Sequence, residues 1–396
     1  MSWSTVRADQ FCTLITDGTH DSPKPQQSGW KLITSKHLKG HYIDFDSANW
    51  ISEADYLKVI SRSAVEQWDI LFSMIGTIGN IYLEKNPHVE YACKNMGIFK
   101  FSGNKENALW MYYYLKSPQA KAYIQTHLRG STQAYVPLGG LREMPVPVPP
   151  QSVRNEIIAV LRPIDEKIEC NNAINDNLYA QAKATTKQWI SKSTGDYELL
   201  PLSDIASINP DTYSPKETWK YVNYLDTSSI TEGCITEIQH ITPSSEKLPS
   251  RARRKIAPND IVFSTVRPNQ RHYGIISEPL PNMLGSTGFA VIRSKNPLVC
   301  NELIYLCLTE NEFIEKMQQL AEQSTSTFPS IKPSDLGVCE IPCPKDQSST
   351  SFTETLKSLF ALIAANQREN IFLSEIRDAL LPKLMSGEID VSDINL

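Results

Sequence analysis

The fold of this chain is decided by the stretch IIAVLRPIDEKIECNNAINDNLYAQA, which covers residues 157–182. The same pattern returns 195 positions later in FTETLKSLFALIAANQRENIFLSEIR, residues 352–377. In both stretches, residues spaced alternately four and three apart fall on one line: Ile157, Leu161, Ile164, Ile168, Asn171, Asn175 and Leu178, then Phe352, Leu356, Leu359, Ile363, Asn366, Asn370 and Leu373. This spacing is typical of a heptad seam and predicts two long helices that can form a coiled coil.

An alternative interpretation of the pattern is an amphipathic helix that lies on the surface of its own domain. Asparagines interrupt both seams at matching places, and polar seam residues fix the register and partner of a helix at some cost in stability. A helix on a domain surface has no such need, so the asparagines favour the coiled coil. Because Pro163 lacks a backbone N–H, we predict a short helix over about 151–162, a break, and then a straighter helix.

The repeat extends beyond the two helices. Before each helix, a leucine is followed six and eight positions later by prolines: Leu141, Pro147 and Pro149, then Leu336, Pro342 and Pro344. The hexapeptide WDILFS at 68–73 matches NDIVFS at 259–264 with an offset of 191, which implies small insertions. We therefore predict four regions, namely globules at 1–150 and 195–345 and helical regions at 151–194 and 346–396.

Each globule contains short apolar runs broken by turn residues, together with segments of helical spacing. Runs such as DILFS at 69–73 and FAVIRS at 289–294 predict strands. The segments 108–128 and 301–323 predict helices, and Trp110 and Tyr112–Tyr114 are predicted core residues. The predicted fold class is α+β, with two pseudo-repeated mixed α/β globules of about 150 residues each and two long helices.

Composition and motifs narrow the function classes. The formal net charge is −5, so nucleic-acid binding would depend on local positive charge. No run of about 18 apolar residues is present and the N-terminus is polar, so we expect a cytoplasmic protein that does not span a membrane. The sequence holds no G-x-x-x-x-G-K-[ST] loop, no G-x-G-x-x-G and no histidines at metal spacing. We therefore expect no catalytic residue, no cofactor and no metal site.

Four segments, taken in order, carry a family resemblance: YVPLGGLREMPVPVPPQ (135–151), LRPIDEKIECNN (161–172), LPLSDIASIN (200–209) and LLPKLMSGEIDV (380–391). Arranged around two long helices, they resemble the specificity (S) subunit of type I restriction–modification systems. The resemblance covers the full chain, and its specificity lies in the order of the segments.

The resemblance implies a DNA-recognition subunit without a catalytic centre of its own. Each globule is then a target-recognition domain for one half of a bipartite sequence in double-stranded DNA. The two helices pack as an antiparallel coiled coil, which joins the globules and separates them over an unread spacer. Two methyltransferase (modification) subunits dock on this frame and methylate adenine, and restriction subunits add translocation and cleavage.

Two basic segments of the second globule are candidates for DNA contact. The sequence SRARRK, which we expect to be a flexible basic run, supplies Arg251, Arg253, Arg254 and Lys255. The sequence VRPNQRHYG, a polar loop after a predicted strand, supplies Arg267, Asn269, Gln270 and Arg271. Arginine pairs with guanine and asparagine or glutamine with adenine, whereas lysine mainly engages phosphate.

In the first globule, the candidates surround Trp30 and comprise Lys24, Lys31, Ser35, Lys36 and Lys39. Gln133 and Tyr135 form a third candidate site. The sequence GTIG at 76–79 predicts a turn, and the alternative is a loop tip that touches the DNA backbone. For each site the alternative is a solvated charged face. Two other functions stay open: a coiled-coil scaffold that binds only protein, and an enzyme with a divergent site. A scaffold would have no use for arginine and amide side chains clustered in one loop.

Overall fold

The computed structural model of the protein describes residues 3–40, 42–192, 195–214, 216–323 and 329–391. Contacts divide the chain into two compact units. The first unit comprises Met1–Cys170 and Glu369–Leu396, and the second unit is Asn171–Arg368. Within the described segments, every helix is too short or too polar to cross a lipid bilayer.

The first unit is built of short strands and helices. Its strands are β1 (Ser4–Arg7), β2 (Leu14–Asp17), β3 (Trp30–Ile33), β4 (Asn49–Ile51), β5 (Ile70–Ser73), β6 (Ile81–Leu83), β7 (Tyr91–Cys93), β8 (Met96–Lys100) and β9 (Pro145–Val148). Its shorter helices are α1 (Ala8–Phe11), α2 (Glu53–Ser63), α3 (Lys105–Lys116), α4 (Pro118–Thr126) and α5 (Leu138–Glu143). Ser117 caps α4 and is followed by Pro118, so the predicted helical segment 108–128 contains two helices.

The strands of the first unit form three sheets. The largest has the order β2-β8-β5-β6 and is antiparallel, the second is β4-β3-β7 with β3 and β7 parallel, and β1 pairs with β9. Phe72 and Phe99 of the largest sheet share a core with Trp110 of α3, and all three side chains are fully buried. Tyr112–Tyr114 are buried as well, which confirms the predicted core.

The second unit has its own set of strands and helices. Its strands are β10 (Tyr197–Pro201), β11 (Ala206–Ile208), β12 (Val222–Leu225), β13 (Ile230–Thr231), β14 (Cys234–Ile235), β15 (Gln239–Ile241), β16 (Ala252–Lys255), β17 (Asp260–Ser264), β18 (Tyr273–Ile276), β19 (Met283–Ser286), β20 (Phe289–Ser294) and β21 (Glu340–Pro344). Its shorter helices are α7 (Leu202–Ile205), α8 (Asn301–Leu308), α9 (Asn311–Glu322) and α10 (Pro333–Gly337).

The second unit repeats the strand pairing of the first. The sheet β11-β20-β17-β18 has the order of β2-β8-β5-β6. The parallel pair β12 and β19 corresponds to β3 and β7, and the pair β10 and β21 corresponds to β1 and β9. The second unit adds strand β16 and the hairpin β13–β14. The fold therefore confirms the predicted tandem repeat and the α+β class.

Two long helices complete the fold. They take the labels α6 (Gln151–Lys192) and, since α7 to α10 lie between them, α11 (Thr350–Ser386). The predicted break near Pro163 is wrong, because α6 continues through this residue. Pro163 is exposed, while Leu161 and Asp165 on either side of it are buried against the first unit. Packing on both flanks therefore outweighs the missing backbone hydrogen bond.

Within each unit the two long helices run antiparallel. In the first unit, Asp165 pairs with Arg377 and Lys167 with Glu369, so residue numbers rise along one helix and fall along the other. In the second unit, Asn366 donates to the side-chain oxygen of Asn175 at 2.8 Å. Trp189 and Phe352 stack there with ring centroids 4.4 Å apart. One seam asparagine of each helix, Asn175 and Asn366, thus contacts the other, as a register-fixing role requires.

The coiled coil and the helix that lies on its own domain each describe part of the seam. Ile157 and Leu161 are fully buried in the core of the first unit, and Leu356 and Leu359 are buried in the core of the second. The remaining apolar seam residues are half-buried: Ile164, Ile168, Leu178, Phe352, Ile363 and Leu373. Asn171 is buried and Asn370 is half-buried. The outer part of each seam therefore belongs to a globular core, and the inner part is a helix pair.

Candidate nucleic-acid interface

Each unit contains one antiparallel hairpin that begins at a buried aspartate. Asp69 directly precedes β5 of the hairpin β5–β6, and Asp260 begins β17 of the hairpin β17–β18. Lys100 of β8 donates to Asp69 at 2.7 Å, and Arg293 of β20 donates to both oxygens of Asp260 at 2.7 and 2.8 Å. Breaking such a buried pair leaves a buried charge, so these contacts fix each hairpin to its sheet.

The loop of the second hairpin contains four of the predicted DNA-contacting residues. Pro268–Gln270 form one turn of 3-10 helix, flanked by Arg267 with φ of 48° and Arg271 with φ of 56°. Asn269 and Gln270 are exposed, Arg267 and Arg271 are half-buried, and Pro268 is buried. Non-glycine residues rarely adopt this left-handed conformation, and it persists where surrounding contacts determine it.

Those contacts come from three neighbouring elements. The backbone N–H of Arg267 donates to the carbonyl of Pro329 at 2.9 Å, and that of Asn269 donates to Oε1 of Gln318 on α9 at 3.3 Å. The carbonyl of Arg271 accepts from the backbone N–H of Glu232, beside β13, at 2.9 Å. The loop is therefore held from several sides while its two amide side chains stay exposed.

The segment SRARRK is an ordered strand for most of its length, so the prediction of a flexible basic run is wrong. Strand β16 pairs with β19 at the edge of its sheet, with a bulge between Ala252 and Arg254. The carbonyl of Arg253 also accepts from the backbone N–H of Tyr213 at 2.7 Å. A charged run gives no sign of such pairing, because the hydrogen bonds use the backbone alone.

The basic side chains of this strand have different environments. Arg251 is exposed and Arg253 is half-buried. Arg254 has a buried Nε without a hydrogen-bond partner in the described part of the chain, and burial lowers the pKa of its guanidinium. Lys255 donates to Glu217 at 2.7 Å, so its ammonium group is already paired within the unit.

The first hairpin carries an equivalent loop with glycine at the two special positions. Gly76 and Gly79 have φ of 77° and 89°, where the second loop has Arg267 and Arg271. Both loops are closed by the same bond, from Ser73 to the carbonyl of Asn80 and from Ser264 to that of His272, each 2.8 Å. The sequence GTIG is a turn, as predicted, and it also occupies the place of the predicted reading loop.

The first loop lies beside the candidates around Trp30. Thr77 Oγ1 donates to the carbonyl of Ser35 at 3.4 Å, and Asn80 Nδ2 lies 3.5 Å from that of Leu38. Ser35 itself is buried at the start of the 3-10 helix Ser35–His37. The structure thus brings two predicted segments of the first unit together, although its sequence gives no direct sign of this contact.

The predicted lysines of the first unit differ in availability. Lys24, Lys36 and Lys39 are exposed. Lys31 is half-buried in β3, where its Nζ donates to the carbonyl of Ala48 at 2.9 Å and lies 3.9 Å from the centre of the Trp50 ring. The ammonium group of Lys31 therefore already has partners within the unit.

The third predicted site adjoins the same loop. Tyr135 forms a β-bridge with Ile75, next to Gly76, and exchanges two backbone hydrogen bonds with Arg129 at 2.8 and 2.9 Å. Gln133 and Tyr135 are exposed. In the second unit, Ser330 forms the corresponding bridge with Val266. Both units therefore place this segment against the hairpin loop.

Several residues of these surfaces are not among the predicted DNA-contacting residues. Thr77 and Asn80 belong to the first loop, and Glu232, Asn311 and Gln318 brace the second. The offset of 191 residues that relates the two hairpins also relates Gly76 to Arg267. This offset is a sequence signal that could have identified the loop containing Thr77 and Asn80. The bracing residues show no sequence signal, because they lie far from the loop in the chain.

Comparisons with known proteins agree with this duplicated α+β architecture. Residues 3–180 match the family described as the type I restriction modification DNA specificity domain. The type I restriction enzyme MjaIX specificity subunit of Methanocaldococcus jannaschii is 24% identical over 390 residues, which cover 91% of this chain and 87% of that protein. The HindI specificity subunit of Haemophilus influenzae is 29% identical over 133 residues, 34% of this chain and 29% of that protein.

A solved structure shows the same fold. The S subunit of a type I restriction–modification system from M. genitalium matches with a TM-score of 0.52 at 16% identity, covering 97% of this chain and 96% of that chain. The architecture is thus that of a duplicated α+β protein with two long helices. Over residues 3–180 the chain is similar to the type I restriction modification DNA specificity domain, and over 91% of its length it is similar to a type I restriction enzyme specificity subunit.

Proposed function

We propose that the chain recognises a split sequence in double-stranded DNA as the specificity subunit of a type I restriction–modification complex. The observation that carries the proposal is the duplicated hairpin loop, which each unit fixes to its sheet through a buried aspartate. Rigid scaffolds that present exposed polar loops are typical of recognition proteins. Two such loops in one chain match a target with two half-sites.

Side chains of the loops and of their surroundings supply the chemistry of base recognition. Arginine pairs bidentately with guanine, and asparagine or glutamine with adenine, in the major groove of DNA. The second loop offers these types in Arg267, Asn269 and Gln270. Lys24, Lys36 and Lys39 of the first unit suit phosphate, which positions a protein on DNA without reading sequence. Positive charge gathered at such loops offsets the net charge of −5.

In this proposal each of the four regions of the chain has its own role. Residues 1–150 and 195–345 are the target-recognition domains, and 151–194 and 346–396 set the spacer between half-sites. The helical regions also recruit two modification subunits and, in the full complex, restriction subunits. Exposed apolar side chains on the long helices support docking, namely Ile174, Leu362, Ile371 and Phe372. Methyl transfer and cleavage belong to those partners, which act in the cytoplasm where the DNA lies.

Methylation-aware sequencing of host DNA tests the proposal. We expect one bipartite motif, with two defined half-sites and a fixed unread spacer, to lose its methylation when the gene is deleted. Re-expression of the full chain should restore the same motif. An unchanged set of methylated motifs after deletion would contradict DNA recognition and favour a protein that acts only as a scaffold.

A further inference from the structure

The guanidinium of Arg271 contacts three residues of the second unit. Nη1 lies 3.3 Å from the Glu232 carboxylate and 3.5 Å from the Tyr273 hydroxyl, and Nη2 donates to the side-chain oxygen of Asn311 at 2.9 Å. These three partners belong to the turn between β13 and β14, to β18 and to α9. Arg271 therefore fastens the end of the loop to three elements, and turning its fork towards DNA would break those contacts.

The backbone just before Arg271 is equally well determined. The N–H of Gln270 donates to the carbonyl of Arg267 at 2.9 Å, and the N–H of Arg271 donates to that of Pro268 at 3.0 Å. Asn269 is tied through its backbone to Gln318, as described above. In this turn the exposed residues are Asn269 and Gln270. A fixed backbone with free amide side chains suits directional hydrogen bonding to a base edge.

Comparison of the two loops distinguishes positions that share a backbone conformation from positions at which the side chains differ. Their closing bonds and positive φ values correspond, although the second loop is one residue longer. Between those φ positions the first loop has Thr77 and Ile78, whereas the second has Pro268, Asn269 and Gln270. The same backbone device thus carries different side chains in the two units, as two different half-sites require.

We infer that Asn269 and Gln270 are specificity-determining residues of the second unit and that Arg271 is a positioning residue. The inference rests on the proposed function. It assigns to the two amides the recognition of adenine, whose N6 and N7 offer one donor and one acceptor to an amide. Arg271 acts through the loop and makes no contact with DNA.

The test uses the full-length chain and duplexes that it selects from a library with two randomised half-sites. We expect Asn269→Ala and Gln270→Ala each to reduce discrimination at one A·T pair by roughly 5- to 150-fold, the range for one bidentate base contact. Preference in the other half-site should stay unchanged. If both variants keep the preference of the unaltered protein at every position, the assignment of the amides is wrong.

The positioning role is tested by two further variants and a matched control. Arg271→Ala and Glu232→Ala should both relax preference across the positions that the loop reads, with no change in the slope of log affinity against log salt. Loss of a phosphate contact would lower that slope by about one, and this result for Arg271→Ala would overturn the inference. Glu237, exposed in the same segment, gives the control Glu237→Ala with the same change of charge.

Glu232→Ala separates positioning from electrostatics. Removing an acidic group by itself strengthens binding to every DNA sequence, and Glu237→Ala should show only this effect. Identical, sequence-independent behaviour of the two glutamate variants would overturn the positioning role, even if Arg271→Ala fails to fold. Failure of the unaltered chain to select any split sequence would instead contradict the proposed function.

Discussion

At the scale of single residues, the first unit carries a buried histidine beside its candidate DNA surface. His37 is 2% exposed, and its Nδ1 accepts from the backbone N–H of Thr34 at 2.9 Å. Burial, helped by the positive charge of Lys36, lowers the pKa of His37 to about 4. The folded protein therefore keeps this imidazole neutral at pH values where an unfolded chain protonates it.

This difference makes stability depend on pH. The pKa of His37 falls from 6.5 in an unfolded chain to about 4 in the folded one, so only the unfolded state takes up the proton between these values. Stability is thus complete above pH 6.5 and is lost as pH falls towards 4. Relative to His37→Asn, which does not titrate, we expect a loss of about 2 kcal/mol between pH 7.5 and 5. Urea unfolding of both full-length proteins measures it, and parallel pH dependences would contradict the prediction.

Arginines in different backbone settings should contribute differently to DNA binding. Arg267 follows a buried strand and is fixed by its N–H bond to Pro329. Arg253 lies at the bulge of the edge strand β16. We expect Arg267→Ala to cost about 1–3 kcal/mol and to relax preference at one base pair. Arg253→Ala should weaken all sequences alike and lower the salt slope.

Binding to a panel of half-site variants at two salt concentrations distinguishes these outcomes. Lys295→Ala serves as a control, because Nζ of this lysine donates to the carbonyl of Ser203, away from the loop. A uniform loss for Arg267→Ala would remove Arg267 from the residues that read bases.

At the scale of elements, features that depend on a local sequence pattern could be predicted, whereas contacts between residues far apart in the sequence could not. Heptad spacing was enough to find α6 and α11, and short apolar runs were enough to find β5, β17 and β20, because each signal lies within one element. The continuity of α6 through Pro163 depends on packing against the rest of the first unit, which no local pattern contains. For the same reason the bracing of Arg271 by Glu232 and Asn311, 39 and 40 positions away, could not be predicted.

One buried carboxylate fastens α6 to two other helices of the first unit. Asp165 accepts from Lys116 of α3 at 3.1 Å and from Arg377 of α11 at 2.9 Å, and its side chain is 10% exposed. Although burial opposes ionisation, these two cations hold the pKa of Asp165 below its ordinary value. Asp165 is therefore charged at neutral pH and joins three helices.

Removal of this carboxylate should be strongly destabilising. We expect Asp165→Ala to lower the free energy of unfolding by about 3 kcal/mol, because it removes the buried partner of two mostly buried cations and leaves Arg377 with the exposed Asp378. Lys167→Ala breaks the exposed pair with Glu369 on the same helices and should cost less than about 1 kcal/mol. Denaturant unfolding of the three proteins provides the comparison, and equal losses for the two variants would contradict the central role of Asp165.

At the scale of the whole molecule, duplication bears on the number of partners. Each unit contains the first part of one long helix and the last part of the other, in the same antiparallel arrangement. We therefore expect two equivalent docking surfaces and two modification subunits for each chain. Native mass spectrometry of the complex at saturating modification subunit measures this ratio. A complex that remains one-to-one would show that the duplicated helices do not give equivalent surfaces.

The division of the chain also bears on how the protein is made. The core of the first unit includes Leu381, Leu384 and Met385, whereas every residue of the second unit lies between 171 and 368. Because a ribosome adds residues from the N-terminus onwards, the whole second unit emerges before the segment that completes the first. We therefore expect the second unit to complete its core before the first, against the usual N-terminal-first order of domain folding. Until the C-terminal segment is made, the nascent first unit should leave uncovered the apolar surface that Leu381, Leu384 and Met385 pack against.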